Sequence, residues 1–150
     1  MSVCGHGESE ENSIKDGRYI EDLVEEMRFL GQARIILRNA LGASELFADL
    51  ADLQVRDGWI HIVNKKFHIH LSCADIARVR FCERHQYAHE APTISFLADQ
   101  GGPSVVLTFD QLAGAEAQEQ ANEVRGIARR HEDETHLVSE HTRPAMEDLH

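Results

Sequence analysis

The sequence predicts an α+β fold: one antiparallel sheet of about seven strands, arranged as a meander, with an N-terminal and a C-terminal helix on one face. Three observations carry this. Short runs rich in β-branched and aromatic residues succeed one another from Ala33 to Phe109. Turn residues separate them, not stretches of about 10–15 residues with helical period, which argues for a meander and against βαβ units. Helical spacing of apolar residues occurs instead on either side of this block.

The elements follow in chain order. Residues 1–16 are polar, Glu-rich and without period, as expected of a mobile tail. From Arg18 to Leu30, the apolar residues Ile20, Leu23, Val24, Met27 and Leu30 mark one helix face, and Gly31 supplies the stop. Residues 33–38 and 43–48 read as strands, and Asp57-Gly58 is a hairpin signal. Residues 59–63, 66–71, 76–82, 93–98 and 104–109 are further strands. Asn64-Lys65 and Gln100-Gly101-Gly102-Pro103 are the clearest breaks between them. A second helix is expected from about Asp110, an N-cap type of residue, with Ala113, Ala117, Ala121, Val124 and Ala128 on one face. Past Arg130 the period is lost and charge rises. The expected organisation is a tail at 1–16, a single domain at 17–130 and an acidic disordered tail at 131–150.

Length and composition agree with one domain. The chain has 150 residues, 42% of them apolar, enough for a hydrophobic core. Its formal net charge is −11 and is unevenly placed. Residues 1–30 carry three basic and eight acidic groups, residues 110–150 four and ten, and the middle is balanced. A chain without clustered Lys and Arg is a poor partner for nucleic acid or for an anionic membrane surface. No apolar run approaches the roughly 18 residues of a membrane helix, and the acidic N-terminal stretch lacks the apolar core of a secretory signal. Cys4, Cys73 and Cys82 show no C-x-x-C spacing, so neither a disulfide framework nor a structural zinc site is expected, and a cytoplasmic location is.

Side chains alternate between the two faces of a strand. One face is consistently apolar: Ile60 and Ile62; Phe67, Ile69 and Leu71; Val79 and Phe81; Ile94 and Phe96; Val105, Leu107 and Phe109. The other mixes His61, His68, His70, Arg78 and Arg80 with Trp59, Val63, Ile76 and Val106. Imidazoles can coordinate a metal, guanidiniums pair with carboxylates, and Trp and Val can cover a ring system. Haem, a flat apolar ligand with anionic ends and an iron centre, has the matching properties. A solvated strand face carries the same residue types, so both readings stand at this point. Elsewhere, His85 and His89 are four apart in a loop that Pro92 follows, and His131, His136, His141 and His150 fall in the acidic tail, where solvated side chains are expected. There is no Gly-rich phosphate loop and no nucleophile elbow, so nothing demands an enzyme.

The stretch Leu30-Gly31-Gln32-Ala33-Arg34-Ile35-Ile36-Leu37-Arg38-Asn39, followed by Glu45, resembles the LG-x-V-x-x-L-x-RN…HE segment of the haem-utilisation proteins of the HemS and ChuX/HutX type. The later stretch KFHIHL…IARVRF…PTISFLADQGGPSVVLTF is similar to that family's closing strands, and the resemblance spans roughly residues 18–130. It implies a single sheet-and-helix unit that pairs as a homodimer, and a cytoplasmic protein that binds haem for trafficking, storage or iron utilisation. It implies a carrier more than an enzyme. The alternatives are a haem-degrading enzyme on the same fold, or a dimeric module for a non-haem metal or small molecule that has lost the haem ligand. The family's His falls at Ser44 here, Arg38 matches the motif Arg, and His68 matches a haem-contacting His. The haem-binding set expected is therefore His68, His70, His61, Arg38, Arg78, Arg80 and Trp59, with His68 as the metal ligand.

Overall fold

The first helix ends at Met27, short of the expected Leu30, and Gly31 follows the closing turn at φ +92°, a left-handed conformation that favours glycine. In the computed structural model the described residues are 12–16, 20–83, 85–86, 89–90, 92–99 and 104–131. The distal acidic segments, the Gln100–Pro103 turn and the side chains of His85 and His89 lie outside that set. The elements are β1 (Asn12–Asp16), α1 (Ile20–Met27), β2 (Gln32–Asn39), β3 (Gly42–Asp49), β4 (Leu53–Arg56), β5 (Trp59–Val63) and β6 (His68–Ser72). They continue with β7 (Arg78–Cys82), β8 (His85–Gln86), β9 (His89–Glu90), β10 (Thr93–Leu97), β11 (Ser104–Thr108) and α2 (Gly114–Arg130).

The fold is α+β and antiparallel, with a helix near each end of the described chain. Its strands divide between two main sheets. Six form the order β1-β7-β10-β11-β2-β3, and β4-β5-β6 form a second sheet. A 3-10 turn, Leu50–Asp52, lies between β3 and β4, and Asp49 accepts the Ala51 N–H there at 3.0 Å. Alternation tells which face a residue takes but not which sheet its strand joins, so this division is invisible in the sequence. The Asp57-Gly58 hairpin has positive φ at both residues, +54° and +83°, matching the twist of β4 and β5. Asn64 makes the next turn, its Oδ1 accepting the N–H groups of Lys66 and Phe67 at 2.7 and 3.0 Å.

One core joins all layers. Ala33, Ile35, Val79, Phe81, Ile94, Phe96 and Leu107 of the six-stranded sheet meet Leu53, Ile60, Ile62 and Ile69 of the three-stranded one. Helix α1 adds Ile20, Leu23, Val24 and Met27; α2 adds Val124 and Ile127. At eight residues α1 is too short to persist alone in water, so this buried face is what holds it.

Four local expectations change. Residues 12–16, read as part of a mobile tail, form edge strand β1, paired with β7 from Asn12↔Cys82 to Asp16↔Arg78. Their polar sequence carries no period, and the partner ladder supplies the order. Asp110 is not the cap of α2: it pairs with Arg34, and the helix begins at Gly114 without a side-chain cap. Cys82 is disulfide-bonded, whereas Cys73 is free. His131, expected in solvent, is buried at the end of α2.

The last change has an electrostatic reason. Glu26 of α1 accepts Arg130 Nε at 2.8 Å and lies 2.6 Å from His131 Nε2. Burial alone would push the Glu26 carboxyl up. The hydrogen bonds and charges of Arg130 and His131 outweigh it and hold the carboxyl below the usual carboxylate range. A depressed carboxylate contributes stability above its unfolded value, near pH 4.3, and loses it as pH falls through the folded value. Glu26→Gln is expected to cost about 1 kcal/mol at pH 7. The variant's unfolding midpoint should converge with the parent's as pH falls and the parent's carboxyl takes up its proton. A difference that persists unchanged throughout the acid titration would dissociate the α1–α2 contact from the Glu26 charge.

Candidate functional site

The strands that make the core outrun it at one end. Phe96, Val105, Leu37 and Ser44 stand in register across β10, β11, β2 and β3, on the inward face that also carries Ile94, Leu107 and Ile35. The next row, Leu97, Ser104, Arg38 and Ala43, is the rim. Leu71 and Ser72 at the end of β6, then Asp75 and Ile76, supply the other wall. Together they bound an open cleft of about 660 Å³, within the size range of small-molecule sites.

Its walls are mostly apolar, and its polar groups are few. Arg38 is exposed and forms no ion pair with a carboxylate of the described residues. Asp75 is the cleft's carboxylate. The Ser72 hydroxyl is buried, without a hydrogen-bond partner among the described residues, and is not open to the cleft. A ligand with an apolar body and an anionic end answers these features. Asn39 orders the rim by accepting the N–H groups of Leu41 and Gly42 on Oδ1 at 2.8 and 3.2 Å. Leu41, in that turn, is 97% exposed.

The structure separates the site residues expected from sequence into three places. Arg38 lines the cleft. Trp59, His61, His68 and His70 share the outer face of the three-stranded sheet, through the register Trp59↔Ser72, His61↔His70 and Val63↔His68. Arg78 and Arg80 lie on β7 of the other sheet, in register with Leu97 and Ser95. Arg78 is exposed and Arg80 half-buried. The remaining lining residues were not expected as a site, because Leu37, Leu71, Phe96 and Val105 have the pattern of core residues. Ile76, assigned by alternation to the histidine face, is buried in the cleft wall. The 3-10 turn Cys73–Asp75 interrupts the alternation, and β7 begins only at Arg78.

On the histidine face, His61 Nδ1 and His70 Nδ1 are 2.8 Å apart, so one ring donates and the other accepts. The rings of His68 and His70 are nearly perpendicular, with centroids 6.1 Å apart. Desolvation, then the charges of Arg56 and His70, hold His61 below its ordinary value of 6.5. Its C–H resonance is expected to titrate below pH 6.5 by NMR, and His70→Ala should move the midpoint upward. An unmoved midpoint would show that the two rings do not share a proton. Beside the cleft, burial and the nearby Glu21 charge push the Cys73 thiol up to about 11, so it is not a thiolate at neutral pH.

Among the described residues no helix is long and apolar enough to cross a membrane. No family model matches the sequence, and no curated protein matches it. Solved structures do match in fold. The haem-binding protein ChuX superposes with a TM-score of 0.66 at 14% identity, covering 81% of this chain and 78% of its own. PhuS of Pseudomonas aeruginosa, a haem-binding protein, gives 0.60 at 15% identity, over 75% of this chain and 34% of its own. ChuS of E. coli, a haem oxygenase, gives 0.61 at 15%, over 77% and 37%. The chain thus has the ChuX/HemS-type fold, and spans about a third of the two longer proteins.

Proposed function

We propose that this protein binds haem in the cleft and acts as a carrier. The observation that supports this most is an apolar cleft of about 660 Å³ that holds an unpaired Arg38, in a fold shared with haem-binding proteins. Leu37, Leu71, Ile76, Phe96 and Val105 would cover the ring, and Arg38 would pair with a propionate in fork geometry. Iron would supply the spectroscopic signature of binding and any redox chemistry of the bound group.

A second reading places haem on the histidine face, with His68 as iron ligand and Trp59, His61 and His70 around it. The grouping of three imidazoles on one exposed face supports it. Titration with hemin, followed by absorbance, separates the two. The cleft reading expects one hemin per chain, weakened at least several-fold by Arg38→Ala and little changed by His68→Ala. Loss of the Soret shift in His68→Ala alone would move the site to the histidine face. No Soret shift in the unaltered protein at micromolar hemin would end both readings.

We further propose a homodimer. Among the described residues strand β3 is an unpaired edge of the six-stranded sheet, exposed at every position but Leu46 and Ala48, with Phe47 outward. A monomer by light scattering at micromolar concentration would overturn this.

A further inference from the structure

We propose that the cleft selects the tetrapyrrole ring and its carboxylates rather than the iron, so that it takes metal-free porphyrin dicarboxylates as well as haem. The inference rests on the reading of the cleft as the haem site and concerns what that site recognises. Protein ligands of haem iron are imidazole, thiolate, thioether or phenolate. Among the described residues lining the cleft there is none of these: the side chains are aliphatic, one phenylalanine, hydroxyls, an amide, Arg38 and Asp75.

The imidazoles of the described residues are directed elsewhere by the strand geometry. Leu71 faces the cleft, so His70, its neighbour on β6, faces the opposite side, and His68 and His61 share that side. His131 is buried against Glu26, on the helices. The backbone of β8 and β9, which carries His85 and His89, follows Cys82. Cys82 is in register with Thr93, and Thr93 with Thr108, at the far end of the sheet from Leu97, Ser104 and Arg38. Four residues of strand separate the two ends, roughly 13 Å. The nearest described thiol, Cys73, stays protonated.

What the cleft does offer is independent of the metal. Ring burial against Leu37, Phe96 and Val105 is the same for a metallated and a metal-free macrocycle. Pairing of Arg38 with a propionate is the same too. Asp75 disfavours a second carboxylate beside it, which orients the ligand with its acid groups toward Arg38.

The test compares hemin with protoporphyrin IX, the first by absorbance and the second by its own fluorescence, using the full chain. Expected are dissociation constants within about tenfold of each other, mutual displacement, and equal weakening of both ligands by Arg38→Ala. Free imidazole should shift the Soret band of the hemin complex without releasing hemin, because no side chain of the lining occupies the iron. Hemin binding a hundredfold or more tighter than protoporphyrin IX would overturn the inference and leave the haem reading intact. A Soret band indifferent to imidazole, with protoporphyrin IX excluded, would overturn it in the same way. Binding of neither ligand would remove the haem reading itself.

Discussion

Gln120→Glu is expected to lower stability by about 2–4 kcal/mol, although it changes one nitrogen to oxygen. Gln120 of α2 is 5% exposed, and its Nε2 donates to the carbonyls of Leu30 at 2.8 Å and Gln32 at 2.9 Å. Those carbonyls flank Gly31, where the chain turns from α1 into β2, so a single amide ties the second helix to that turn. The substitution replaces a double donor by an acceptor and leaves two carbonyls facing a carboxylate oxygen. For a chain of this length the melting temperature should fall by about 5–15 °C. The buried carboxyl has a raised pKa in the folded state, so the folded form binds the extra proton and stability returns as pH falls. Unfolding midpoints in guanidinium at pH 7 and pH 5 check both parts. A variant within about 0.5 kcal/mol of the parent at pH 7, or one that weakens further at pH 5, would contradict this account of the clamp.

Gln120 also shows where legibility ended. On a helix otherwise marked by Ala121, Val124 and Ile127, a glutamine carries no apolar signal, so the sequence assigns it to solvent. The strands were legible because their signal is local: period-two alternation from Ala33 to Phe109, Asp57-Gly58 at a hairpin, Gly31 after a helical stripe. What was not legible depends on contacts between distant segments. The pairing of β1 with β7, the burial of His131 by Glu26 and the Arg34–Asp110 pair that displaces the α2 start all join residues far apart in sequence. The mixed face of His, Arg and Trp was correctly read strand by strand, yet β5 and β6 join one sheet and β7 the other. One pattern therefore became two surfaces. The cleft was hidden for the opposite reason. Leu37 and Val105 obey the core pattern, and only the end of the covering layer leaves them open.

That openness makes Val105 the sharpest probe of the site. Val105 lies between Phe96 and Leu37 in the floor row, half-buried and packed against the core rather than inside it. Val105→Asp is expected to weaken hemin and protoporphyrin IX at least a hundredfold, equivalent to about 2.7 kcal/mol. The reason is desolvation. A bound macrocycle would exclude water from the carboxylate, and neither the apolar floor nor an anionic ligand offers it a partner. Arg38, one row away at the rim, would be drawn toward the new carboxylate and away from the propionate, adding to the loss. In the free protein the same carboxylate faces an open cleft and stays hydrated, so binding should fall far more than stability. Val105→Ala removes area without adding charge and should cost only a few-fold in affinity. Circular dichroism and a guanidinium unfolding curve on each variant establish that the fold is kept. If Val105→Asp binds hemin like the parent while remaining folded, the ring does not lie on this floor. The imidazoles of His61, His68 and His70, on the other sheet's outer face, then become the place to look.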